Sequence, residues 1–232
     1  MNLKITKFRG NSEITSFDEF QYFTGVTEVN NRTFSGSTNL ESIVIPTGIN
    51  KIDYGTFENI GNLVIEDLSL DNITFLGMGA FQGTKIRKVS KLGKLTELPN
   101  ALFRNCAELE CVVLSDSIIS IKDSCFRSCI SLNTLNFPSS LKTIRDWAFC
   151  QCTNLESIIL PDTVEQIMIG AFRDCSSRKS ITILAPNPPA LGLQVFENTN
   201  NCPIYVPTNS VAAYKTATNW SAYASRIQAI PD

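Results

Sequence analysis

Apolar residues recur along this chain on two scales. Over short distances they stand two apart, as at Ile43 and Ile45, Val112 and Leu114, Leu135 and Phe137, and Ile158 and Leu160. That period of two predicts short strands with one face buried. Over longer distances the whole phrase returns. A phenylalanine stands at Phe34, Phe57, Phe81, Phe103, Phe126, Phe149, Phe172 and Phe196, at intervals of 23, 24, 22, 23, 23, 23 and 24 residues. Self-similarity at such a period marks a solenoid whose units pack only on their neighbours.

The unit from Phe149 sets the template. Leu155 stands six residues on, Ile158 and Leu160 nine and eleven on, and Pro161 follows. Val164 and Ile167 complete it before Ala171-Phe172 opens the next unit. The unit from Phe126 repeats this with Leu132, Leu135, Phe137, Pro138, Leu141 and Ile144. The units from Phe34 and Phe103 repeat it with Leu40, Ile43, Ile45 and with Leu109, Val112, Leu114. Proline cannot donate to a ladder, so it ends the strand. The Ala-Phe-x-x-Cys segment has the spacing of a single helical turn. Each unit then supplies one rung at roughly 5 Å, and about seven units give a curved body on the order of 35 Å long with a parallel sheet on its concave side.

The phrase Leu-x-x-Ile-x-Leu-Pro, followed by x-x-Val-x-x-Ile-x-x-x-Ala-Phe-x-x-Cys, resembles the BspA-like class of bacterial leucine-rich repeats. The resemblance covers residues 31–184. It implies a leucine-rich repeat solenoid: a curved right-handed superhelix with a parallel concave β-sheet, short helical turns and loops elsewhere, and a cap at each end. On this reading residues 1–30 form the N-terminal cap, 31–184 the repeat array, and 185–232 the last rung with the C-terminal cap. The pattern weakens between Phe57 and Phe103, where Glu66 takes an apolar position and one unit shortens to 22 residues. An irregular sheet is expected there.

Solenoid ends must cover apolar faces that have no neighbour. Ser16-Phe17-Asp18-Glu19 has the spacing of a capping box, predicting a short helix that lays Phe17, Phe20 and Phe23 on the first rung. At the far end Ala185-Pro186-Asn187-Pro188-Pro189 breaks the rhythm. A strand over 204–207 and a helix over 210–215 are predicted beyond it, with Trp220 and Tyr223 as a lid.

Composition narrows the chemistry. Lys and Arg total 20 against 22 Asp and Glu, and charged residues make up only 18% of the chain. The basic footprint of a nucleic-acid binder is missing. No apolar run is long enough to insert in a membrane. Residues 1–10 hold no apolar stretch of the signal-peptide kind, which leaves a cytoplasmic location open, whereas the resemblance implies a secreted or surface protein. The chain has no histidine, so the commonest general base is absent. The glycine-rich Gly77-Met78-Gly79-Ala80-Phe81-Gln82-Gly83 fits neither phosphate-binding spacing and falls on a repeat corner.

Of the eight cysteines, Cys106, Cys129, Cys152 and Cys175 each stand three residues after a repeat phenylalanine. That spacing stacks them as an inward ladder, read as free packing thiols rather than disulfides. With neither histidine nor a Cys-x-x-Cys pair, no zinc site is expected. No metal, cofactor or enzymatic activity is predicted.

What remains is surface. The outward strand positions carry Val44, Asp67, Val113, Asn136, Ile159 and Thr182 in one lane and Ser42, Ile65, Cys111, Thr134 and Ser157 in the next. Of these, Val44, Val113, Asn136, Ile159, Thr134 and Ser157 are singled out. Trp147 stands beside a corner. These seven are the candidate binding residues. A lane around Lys51, Asp53, Lys122, Asp123 and Arg145 mixes both signs and reads as solvated surface. β-Branched residues suit strands wherever they stand, but an apolar outward lane also fits a face that a partner covers. The expectation is a non-enzymatic recognition or adhesion module. By resemblance its partner is a host or bacterial surface protein or a glycan. The alternative is a structural spacer without a ligand. A carboxylate-based hydrolase would need two facing carboxylates about 5–10 Å apart.

Overall fold

The computed structural model describes residues 8–231, so the start of the predicted N-terminal cap lies outside the described residues. The chain winds as a parallel-strand solenoid of about nine turns. Its axis is a column of rings. Phe34, Phe57, Phe81, Phe103, Phe126, Phe149, Phe172 and Phe196 are all buried, with successive centroids 5.1–6.0 Å apart and planes within 20° of parallel. Offset stacking suits such a column, because it fills the space between turns while avoiding a face-to-face sandwich.

Each turn carries two short parallel strands, where the sequence showed one. The leading strand lies eight or nine residues after the phenylalanine, as at Cys111–Val112 and Ser157–Leu160. The trailing strand, at Ser120–Ile121 or Thr143–Ile144, is two residues long with one residue buried. Successive rungs pair in register, for example Cys111 with Thr134 and Ser120 with Thr143. A two-residue strand offers no alternation to read, which is why its buried residue looked only like core.

The Ala-Phe corner, expected as a helical turn, is two successive β-turns. The residues two before and two after each phenylalanine have positive φ, as at Trp147 (58°) and Gln151 (63°). The consequence is a division of amides. Ala148, Cys150 and Cys152 donate three residues back, to Arg145, Trp147 and Phe149. Trp147, Phe149 and Gln151 donate to Ile169, Ala171 and Arg173 of the next turn, at 2.8–2.9 Å. A helix would keep its amides along its own axis. Here half of them tie one rung to the next.

The cysteine ladder joins the same corner. Cys106, Cys129, Cys152 and Cys175 are buried and unpaired, and their thiols lie 3.0–3.1 Å from the carbonyls of Phe81, Phe103, Phe126 and Phe149. Ser37 fills the same slot in the first unit and donates its hydroxyl to the Phe8 carbonyl. The ladder thus supplies weak donors to backbone acceptors that would otherwise have one bond fewer.

Both ends are closed. Phe8 stacks 5.3 Å from Phe34, and a short 3-10 helix, Asp18–Tyr22, buries Phe20 against the first rung. The expected capping box does not form: the helix begins at Asp18, no side chain caps it, and Ser16–Phe17 pairs as a strand with Ser42–Ile43. At the other end the strand Ile204–Val206 and the helix Val211–Thr216 appear where the pattern placed them. Trp220 and Tyr223 stand 5.9 and 5.5 Å from Phe196 and end the column.

Candidate functional site

On the exposed face of the leading strands, aliphatic side chains are interspersed with polar ones such as Asp67 and Asn136. Val44, Val113 and Ile159 are 40%, 50% and 60% exposed, and Ser157–Leu160 alternates strictly out and in. Four of the seven candidate residues converge. Thr134, Asn136, Ser157 and Ile159 line one depression of about 360 Å³ together with Asn133, Leu135 and Phe137. The hollow exists because the ladder stops there: the sheet ending at Thr134–Leu135 is not paired with the one beginning at Ser157–Leu160. Phe137 stands at that gap in a column that elsewhere holds Ile45, Leu114, Leu160 and Ile183. Its ring reaches across to Phe149 and Phe172, 5.5 and 6.4 Å away. The larger side chain fills space that the next rung would otherwise close.

The other candidates lie apart. Val113 borders a separate hollow with Lys91 and Gly93, and Val44 lies toward the N-terminal end of the same face. Trp147 is half-buried, with the guanidinium groups of Arg127 and Arg173 5.9 and 5.6 Å from its ring. It is packed between cations and does not extend the strand face.

The second sheet holds a larger depression that the sequence did not reveal. About 580 Å³ opens between the trailing strands Phe75–Leu76 and Glu97–Leu98, bordered by Tyr54, Met78, Asn100, Lys122, Asp123 and Arg145. It lies at the shortened unit, where Lys94 rather than Thr96 donates to the Ile73 carbonyl and a proline follows the buried leucine. In the other rungs the residue after the buried aliphatic donates its amide to the turn before: Asp53 to Val29, Gly77 to Ile52, Lys122 to Leu98, Arg145 to Ile121. At this rung that residue is Pro99, which has no amide hydrogen. The Leu76 carbonyl therefore lacks its inter-rung donor, and the trailing sheet splits in two. The shortened unit that contains Pro99 was the available signal.

The carboxylates here are each paired with a cation. Glu97 is 3.0 Å from Lys122, and Asp123 is 3.6 Å from Arg145. Among the described residues no cluster of metal-ligating side chains exists, and no helix is long and apolar enough to cross a membrane.

Comparison with known proteins agrees with this architecture. A family model described as BspA type leucine rich repeat region matches in six copies, over residues 6–110 and 96–217. A leucine-rich repeat protein from Eubacterium ventriosum is similar at 27% identity and a TM-score of 0.61, covering 71% of this chain and 43% of that one. One from Bacteroides ovatus shares 23% identity at a TM-score of 0.51, covering 78% and 59%. A leucine rich cell surface protein from Faecalibacterium prausnitzii shares the fold at 19% identity and a TM-score of 0.51, covering 88% and 66%. The chain thus spans less than two thirds of the length of each of these structures. No curated protein matches it.

Proposed function

Because the chain belongs to the BspA-type leucine-rich repeat family, whose solenoids serve as repeat scaffolds or binding modules, we propose that it is a non-enzymatic recognition module displayed on a bacterial surface. The observation that carries this reading is the outward apolar lane of Val44, Val113 and Ile159, interrupted by the depression that Thr134, Asn136 and Ser157 share with Ile159. A partner covering that face would remove exposed aliphatic surface from water at about 25 cal/mol per Å². Surface display is supported by the cell surface protein among the structural neighbours.

The test is the double variant Val113→Lys and Ile159→Lys, screened with the parent chain against immobilised extracellular-matrix and bacterial surface proteins. Both side chains point outward, so the variant should fold normally. Binding by the parent and its loss in the variant is the expected result. Equal binding by both proteins would move the interface off this face. No binding by either would favour a spacer that only holds another segment at a distance.

A further inference from the structure

The depression at the Pro99 break is distinct from the strand face, and its chemistry points to a different ligand. Three large apolar side chains, Tyr54, Phe75 and Met78, stand 38–51% exposed at one end of it. Exposure of that size is usual for one such residue and unusual for three together. Tyr54 and Phe75 meet edge to face with centroids 6.1 Å apart, and the Lys51 ammonium stands 5.6 Å from the Phe75 centroid, so Tyr54 offers the more open ring face. The rings are held from behind. Gly77 packs so closely on the Tyr54 backbone that a β-carbon would fall 2.3 Å from its nitrogen, which fixes Tyr54 and Phe75 relative to each other.

The opposite wall is polar but electrically closed. Lys122 pairs with Glu97 and Arg145 with Asp123. The wall therefore offers donors and acceptors in number without a net charge to attract an ion. Asn100 adds an amide, and the Leu76 carbonyl has lost its inter-rung donor to Pro99. Apolar rings on one side, neutralised hydrogen-bonding groups on the other and a free backbone acceptor between them match a ligand with C–H faces and many hydroxyls.

We propose that this depression binds a neutral carbohydrate, with a pyranose C–H face against Tyr54 and Phe75 and its hydroxyls on Asn100, Asp123 and the Leu76 carbonyl. An anionic glycan would meet Glu97 and Asp123, and a cationic peptide would meet Lys122 and Arg145. The proposal deepens the recognition reading by naming a ligand class, and it rests on that reading. The strand-face lysine variant leaves this wall untouched, so the two can fail separately.

The test titrates the whole chain with neutral oligosaccharides (cellohexaose, maltohexaose, xylohexaose and mannohexaose), read by NMR shift changes and calorimetry. At least one should bind at about millimolar affinity or better, with shifts confined to the lining of this depression, among them Tyr54, Phe75, Leu76, Met78, Asn100 and Asp123. Binding should persist in 0.5 M NaCl, since no net charge drives it. Tyr54→Ala should weaken it at least about tenfold. Pro99→Ala restores the missing donor and keeps every ring; closing the ladder should abolish binding while raising the melting temperature. Asn100→Ala, on an exposed side chain, serves if Tyr54→Ala fails to fold. Failure of all four sugars, binding unchanged in Pro99→Ala and Asn100→Ala, or preference for a sulfated glycan or a peptide would each overturn the proposal. So would cleavage of the sugar, which would make the site an enzyme's.

Discussion

Gly170 lies against the indole of Trp147: a β-carbon at 170 would stand 2.6 Å from both Cε3 and Cζ3 of that ring. Gly170 also has φ of +58°, a conformation in which other residues are strained. Gly170→Ala should therefore cost more than a backbone effect alone, about 2 kcal/mol or above. The indole should be pushed out between Arg127 and Arg173. Denaturant unfolding measures the loss, and a red-shifted tryptophan emission reports the displaced ring. An unchanged spectrum would mean that the ring does not rest on Gly170.

The leucine column is the most exacting part of the core. Leu132 and Leu155 are buried between rungs that both neighbours hold in register. Leu132→Ala or Leu155→Ala should cost about 2–5 kcal/mol, because the cavity cannot collapse without shifting a whole turn. A loss below about 1 kcal/mol would show that these side chains are not packed as described.

The same column has one discordant member. Arg178 takes the leucine position of its unit, is 2% exposed, and none of its guanidinium nitrogens has a hydrogen-bond partner in good geometry. Its cation lies 5.2 Å from the Phe172 ring and near the Cys175 thiol, whose pKa it lowers against the larger upward push of burial. An arginine in that setting stabilises less than a well-packed leucine. Arg178→Leu should raise stability by about 1–4 kcal/mol, read from the denaturation midpoint.

Burial lifts the thiol ladder, Cys106 to about 11 and Cys129 and Cys152 well above the ordinary value of 9.0. The folded state thus keeps protons that the unfolded chain gives up first. Stability from these groups is full below pH 9 and is lost as pH rises from there through the folded pKa values. The thiol contribution to the unfolding free energy should be constant between about pH 7 and 9 and fall above it. Thiol titration should find eight free cysteines, nearly all of them reactive only after denaturation. Native Cys–Cys links in mass spectrometry would overturn this account.

How much of this the sequence made legible depended on period. The phenylalanine, leucine and cysteine columns repeat every 23 residues or close to it, so their burial followed from counting. The double turn did not. Its left-handed positions are held by residues such as Gln151, Ser128, Trp147 and Asp174 more often than by glycine, and Ala-Phe-x-x-Cys spacing is equally good for a helix. Of the binding candidates, Thr134, Asn136, Ser157 and Ile159 came together because they share one lane on adjacent rungs. Tyr54, Phe75, Lys122 and Arg145 lie on the sheet whose strands were too short to see. The weakened pattern between Phe57 and Phe103, with its shortened unit and Pro99 directly after a buried leucine, marked that place.

The interruptions in the two sheets are staggered like the joints in a brick wall. The trailing ladder is open between Leu76 and Glu97, where the leading strands pair through Val64 with Lys85 and Leu68 with Val89. The leading ladder is open between Leu135 and Ser157, where Thr143 and Ile144 pair with Gln166 and Ile167. It thins again between Ile43 and Val64, where only the Val64 amide donating to the Glu41 carbonyl is seen while Lys51 and Ile52 pair with Phe75 and Leu76. No junction loses both. A pull across the rungs therefore meets at least one paired ladder at every junction among the described residues, so neither opening is a fracture line.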